Sequence, residues 1–138
     1  MTPPARIFTL TEARRTLPLV RRIVGDLVET HRLWVSAVTT LDQAVAAGSA
    51  EDLVLEEQRQ IMNLAQTIDG LLTELEQVGC YFKDFAEGLV DYPTLVAGRP
   101  ALLCWKLGEP DIEYWHELDA GFSARQKLST NLAMETVS

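Results

Sequence analysis

The sequence predicts an α+β protein, mainly α with a small β part: a long antiparallel helical hairpin, coiled-coil-like, followed by a C-terminal β-hairpin lobe. Three observations carry this. Apolar residues recur at a mean step of about 3.5 between Leu17 and Gly79, the period of a coiled-coil seam. The turn-forming stretch AGSAED interrupts that pattern near its middle, and beyond Gly79 the texture changes to short β-favouring runs around a glycine turn. The 138 residues fit one domain, divided into a hairpin over 10–79, a strand-and-loop lobe over 80–128 and a loose tail over 129–138.

At the N-terminal end, Thr9 and Glu12 have the spacing of a capping box, and Pro18 suits a first helical turn better than an interior. A short helix over 10–16, bending into the long arm near Leu17–Pro18, is expected. The arm then reads Leu17, Val20, Val24, Leu27, His31, Trp34, Val38, Leu41, Val45, and the return arm Val54, Gln58, Ile61, Ala65, Ile68, Leu72, Leu75, Gly79. Gly48 is placed to end the first arm and Ser49 to cap the second. Folded at that turn, the two seams match in one register, with Val45 against Val54, Trp34 against Ala65 and Val20 against Gly79. At about 1.5 Å per residue the arms extend roughly 40 Å. His31 is a polar residue in an apolar seam, so it is expected to be structural, with Thr67 or Asp69 as its partner.

Beside the seam run Ile23, Val28, Val35, Leu55, Met62, Leu64, Leu71 and Val78. A lone hairpin would leave much of that stripe wet, so the expectation is a homodimer completing a four-helix bundle.

In the lobe, GLVDYPTLVAGRPALLCWKLGE is expected to form a β-hairpin turning at Val96–Pro100, with RIFTL as a third strand and Pro110 ending the second. The simplest pairing puts Cys104 and Lys106 on one face with Tyr92, and Trp105 on the other. IEYWHEL is expected to be one or two helical turns, and no clear period is visible from Gln126 onward.

A net charge of −8 repels nucleic acid and anionic lipid, so neither is an expected partner. MTPPARIFTL lacks the features of a secretory signal, and no run of eighteen apolar residues exists to span a membrane. Two distant cysteines outside any CxxC pair point to a reducing cytoplasm.

The chemistry concentrates in LCWKLGEPDIEYWHELDAGF, which holds five carboxylates, a thiol, an imidazole and an ammonium. If its second half is helical, Glu113, His116 and Asp119 share a face with usable metal-ligand spacing, and Glu109 and Cys104 approach from the strand end. A Cys80–Cys104–His116–His31 set is disfavoured because His31 lies in the seam. Lys106, Glu109, His116 and Asp119 are the candidates for acid–base work, although no nucleophile elbow or phosphate loop accompanies them. The plain alternative is a solvated rim, with Lys106 in a structural ion pair. Arg14, Arg15, Arg21 and Arg22 lie on one helical face and suit either a phosphate or the acids at Glu109, Asp111, Glu113 and Glu117; the second needs no ligand. Asp42, Glu51, Asp52, Glu56 and Glu57 make an acidic hairpin tip.

FTLTEA with Leu17–Pro18, then GLVDYP, GRPALLCWKLGE, IEYWH and GFSARQKL, resembles the uncharacterised bacterial family called domain of unknown function 2203. The resemblance runs almost to Leu128 and is most specific in the lobe. It implies no reaction or substrate, but it places Asp91, Cys104, Lys106, Glu109, Trp115, His116, Gly121 and Arg125 in a recurring motif. The candidate functional cluster is therefore Asp91, Cys104, Lys106, Glu109, His116, Asp119 and Arg125. The leading expectation is a cytoplasmic homodimeric interaction module with an unidentified protein partner and no cofactor. The alternative is an enzyme, metal-dependent (zinc or iron) or acid–base, sited around Glu109 and His116.

Overall fold

The structure is a computed structural model that describes residues 6–128. The expected tail over 129–138 lies outside the described residues. Two long helices, α1 (Leu10–Ala46) and α2 (Glu51–Val78), form the hairpin. They are followed by β1 (Tyr81–Asp84), β2 (Leu89–Val96), β3 (Arg99–Lys106), β4 (Tyr114–Glu117) and β5 (Gln126–Lys127), with a 3-10 turn at Phe122–Ala124. The strands pair in chain order as one antiparallel meander. Among the described residues no helix is long and apolar enough to cross a membrane.

The capping box at the start of α1 forms as expected: the Glu12 amide donates to the Thr9 hydroxyl and the Thr9 amide to the Glu12 carboxylate. The expected bend at Leu17–Pro18 is a correction, because α1 runs unbroken through Pro18. A proline there withholds one intrahelical donor, but its ring faces solvent while Leu17 and Val20 on either side are buried. Packing and the Arg14 anchor described below hold the helix across the missing bond. The cap of α2 is a second correction. Ala50, not Ser49, occupies that position, without a side-chain cap bond. Gly48 does turn the chain, with φ of 66°, and Gly79 closes α2 in the left-handed region at φ 108°.

The core sits where the base of the hairpin meets the sheet. Val20, Val24, Leu27, Ile68 and Leu75 from the helices pack with Val90, Tyr92, Leu103 and Trp105 from the strands. Burial thins toward the turn, where Val45 is 60% exposed. Of the flanking stripe, the sheet end absorbs Ile23, Val28, Leu71 and Val78, whereas Val35, Leu55 and Met62 stay exposed. His31 is held by aromatic stacking on Phe85, with ring centroids 4.2 Å apart, and on Trp34. The expected Thr67 and Asp69 partners are a correction: the Thr67 hydroxyl donates to its own helix at Asn63.

Two of the four clustered arginines bind the acidic loop. Arg14 donates to the Ile112 carbonyl and lies 3.3 Å from the Asp111 carboxylate, and Arg21 donates to the Pro110 carbonyl. Both side chains thereby tie the base of α1 to the loop that follows β3.

In the lobe, the β2–β3 hairpin forms with its turn at Ala97–Gly98, both at positive φ (52° and 76°), the two-residue geometry that matches strand twist. This turn fixes a register one residue away from the expected one. Asp91, not Tyr92, lies opposite Cys104, so Tyr92 shares a face with Leu103 and Trp105. RIFTL is also corrected. It is not a strand of the sheet and joins it through the Phe8 amide to the Pro93 carbonyl and the Thr94 hydroxyl to the Phe8 carbonyl. The second strand of the hairpin ends at Lys106, before Gly108, rather than at Pro110. IEYWHEL is strand, not helix: Tyr114–Glu117 pairs with both β3 and β5. Gln126 and Lys127, where the sequence shows no clear period, supply β5.

Gly88 locks hairpin to lobe. It has φ of 70°, and a Cβ there would stand 2.9 Å from the Leu107 Cβ and 3.1 Å from a Val24 methyl. Gly88→Ala is therefore expected to cost roughly 1–3 kcal/mol through clash and backbone strain, read as a lowered urea midpoint with unchanged slope.

Candidate metal centre

Strand alternation decides which side chains reach the site. On β2 and β3, Tyr92 and Trp105 point at the helices; the Tyr92 hydroxyl meets the Thr16 hydroxyl at 2.9 Å and its ring sits edge-on to Phe8. The residues between them turn to the opposite face. Asp91 on β2, Cys104 on β3 and His116 on β4 thus converge on the side of the sheet away from the helices. The chain then crosses over this face: Leu118, Ala120, Gly121 and Phe122 wall a cavity of about 210 Å³ whose floor includes the three groups.

All three are buried, and one ligand atom from each lies within 4.8 Å of the others. His116 Nε2 is 3.1 Å from Asp91 Oδ1, each side chain being 4% exposed, and His116 Nδ1 is 2.8 Å from the Glu117 carbonyl. A carbonyl only accepts, so Nδ1 carries hydrogen and Nε2 is the nitrogen presented to the cluster. A backbone carbonyl that fixes the tautomer in this way is the usual outer support of a metal-binding imidazole. Two nitrogen or oxygen ligands at 2.0–2.1 Å from a tetrahedral ion stand about 3.3 Å apart. The observed 3.1 Å between Nε2 and Oδ1 is close to that spacing.

Cys104 in the metal-free protein is a thiol. Burial pushes it up to about 11, the Asp91 charge adds to this, and the hydrogen bond and charge of Arg125 oppose it. The His116 ring is engaged at both nitrogens by Asp91 and Glu117, so it is not placed as a base for that sulfur. A Cys–His nucleophile pair does not fit; a metal ion, which displaces thiol and imidazole protons on binding, does.

Beside the cluster, Arg125 holds Glu109 bidentately, with nitrogen–oxygen distances of 3.0 and 2.6 Å. Its guanidinium lies over the rings of Tyr114 and Phe122. Glu109 also accepts from the Lys106 amide at 2.7 Å. This clamp ties the covering segment to the end of β3 and sets a cation against the Cys104 sulfur.

Of the residues the sequence singled out, Asp91, Cys104 and His116 form the cluster, and Glu109 and Arg125 form the clamp. Lys106 pairs with Glu87 at 3.7 Å instead of entering the cavity wall. The set Glu113, His116 and Asp119 is a correction. Their common face exists only on a helix, but His116 lies on the short strand Tyr114–Glu117, which Glu113 precedes and which ends before the turn that holds Asp119. Asp119 is exposed, and neither it nor Glu113 belongs to the group that converges with His116. Lys83 and Phe122 line the cavity and were missed. The four-residue β1 offers too short an alternation to be read as a strand, so nothing in the sequence placed Lys83 there.

No curated protein and no solved structure matches the chain. The model of a family described as an uncharacterized conserved protein, DUF2203, matches residues 6–128. The match spans both the hairpin and the complete sheet with its buried cluster, and by it the chain belongs to the DUF2203 family.

Proposed function

We propose that the lobe binds one divalent metal ion of the zinc type through Asp91, Cys104 and His116, and that the protein works by ligand exchange at the ion's remaining position. The observation that carries this reading is the buried convergence of carboxylate, thiol and imidazole on the floor of a cavity. A mixed sulfur, nitrogen and oxygen set suits zinc better than magnesium or calcium, which take oxygen alone. Three protein ligands with an open fourth position are the pattern of catalytic rather than structural zinc, where the ion activates water or a bound ligand.

Elemental analysis of protein refolded with zinc and then dialysed tests it. One ion per chain is expected, lost in Asp91→Asn and Cys104→Ser, and retained with weaker affinity in Glu109→Ala, because Glu109 supports the cluster from outside it, holding Arg125. Folded wild-type protein that takes up no ion would end the proposal.

A second reading, a homodimeric interaction module in the cytoplasm, is favoured by the distal hairpin. Val35, Leu55 and Met62 remain 46%, 52% and 63% exposed, with Leu55 and Met62 one heptad apart on α2. Pairing of two hairpins would bury this stripe, and a protein partner would then meet the acidic tip. The two free, buried thiols suit a reducing compartment. Sedimentation equilibrium is expected to give a dimer that Met62→Glu converts to monomer. A wild-type monomer at high concentration would remove this reading.

A further inference from the structure

We infer that the cavity over the cluster receives a small carboxylate with a short apolar body, its head on the metal's open position and near Lys83. This inference rests on the proposed metal site and adds the class of ligand it takes.

Charge supplies the first argument. A divalent ion bound by the Asp91 carboxylate, the Cys104 thiolate and a neutral imidazole leaves no net charge at the centre. Among the described residues, Arg125 is neutralised by Glu109 and Lys106 by Glu87. Lys83, which lines the cavity, has no such carboxylate among the described ion pairs. Lys83, an exposed residue of the lining, thus sets one unpaired positive charge beside a neutral centre, which suits a monoanion better than a dianion such as phosphate.

Shape and lining supply the second. Leu89, Leu102, Leu118 and Phe122 wall the space, so the body of the ligand meets apolar surface. A volume of about 210 Å³ holds roughly seven non-hydrogen atoms at a water-like share of about 30 Å³ each. A carboxylate on three to five further carbons fills it.

Cobalt(II) in place of zinc gives a coloured centre whose visible bands report the fourth ligand. Full-length protein loaded with cobalt would be titrated with acetate, butanoate, pentanoate, octanoate and inorganic phosphate. Affinity is expected to rise about fourfold per buried methylene from acetate to pentanoate, to gain nothing further at octanoate, and to be weaker for phosphate than for pentanoate. Lys83→Ala should weaken every carboxylate about tenfold at unchanged cobalt content, and Lys83→Arg should restore most of it. A cobalt spectrum that forms but does not respond to carboxylates overturns this inference and leaves the metal site standing. Phosphate binding more tightly than pentanoate, or Lys83→Ala without effect, overturns it too. Absence of any cobalt spectrum in folded protein removes both readings.

Discussion

His116→Ala is expected to weaken metal affinity by at least a hundredfold and, separately, to destabilise the metal-free protein by roughly 3–5 kcal/mol. The first effect follows from losing one of only three protein ligands. The second follows from the surroundings of Asp91. Its side chain is 4% exposed and its Oδ1 meets His116 Nε2, so deleting the imidazole strands a buried carboxylate. The two effects are separable with Asp91→Asn, whose amide still hydrogen-bonds Nε2 but is a poor metal ligand. That variant should unfold near the wild-type metal-free midpoint yet gain nothing when zinc is added. Urea titrations with and without zinc check both points, because an ion that binds only the folded state raises the midpoint by mass action. Equal zinc-induced shifts in wild type and Asp91→Asn would show the ion bound elsewhere.

Trp105→Ala is expected to cost roughly 3–5 kcal/mol, the range for deleting a large fully buried ring. Trp105 is 0% exposed at the junction of sheet and hairpin, and its indole nitrogen donates to the Glu109 carbonyl at 3.0 Å. The same residue therefore fills the core on one face and steadies the Glu109–Arg125 clamp from behind. Trp105→Phe keeps most of the volume but loses the hydrogen bond, and should cost roughly 1–2 kcal/mol. A loss below about 1 kcal/mol for the alanine variant would mean that the sheet is not packed on the helices through this ring.

The helical hairpin was legible because its signal is long. Seventeen seam positions repeat one period, and Thr9, Gly48 and Gly79 punctuate it with the chemistry their positions need. The details that failed were local exceptions which tertiary packing overrode, such as Pro18 inside a helix and Ala50 at a cap. The lobe was harder because a strand's period is two and several of its strands are short. Moving the turn by one residue exchanged Asp91 for Tyr92 beside Cys104. Reading IEYWHEL as helix grouped His116 with Glu113 and Asp119, whereas its strand geometry hands it to residues 12 and 25 positions earlier, Cys104 and Asp91. The family motif named all three members of the cluster, since a motif is indifferent to register. It could not say that they meet.

X-ray absorption at the zinc edge tests the metal centre most directly. Binding by Asp91, Cys104 and His116 is expected to show one sulfur at about 2.3 Å per zinc, with the remaining neighbours nitrogen or oxygen at about 2.0–2.1 Å. The sulfur shell should persist in Cys80→Ser, whereas Cys104→Ser, which does not retain the ion, should show no zinc–sulfur shell at all. A first shell of nitrogen and oxygen alone in the wild-type protein, or one unchanged by Cys104→Ser, would contradict a centre built on these three side chains.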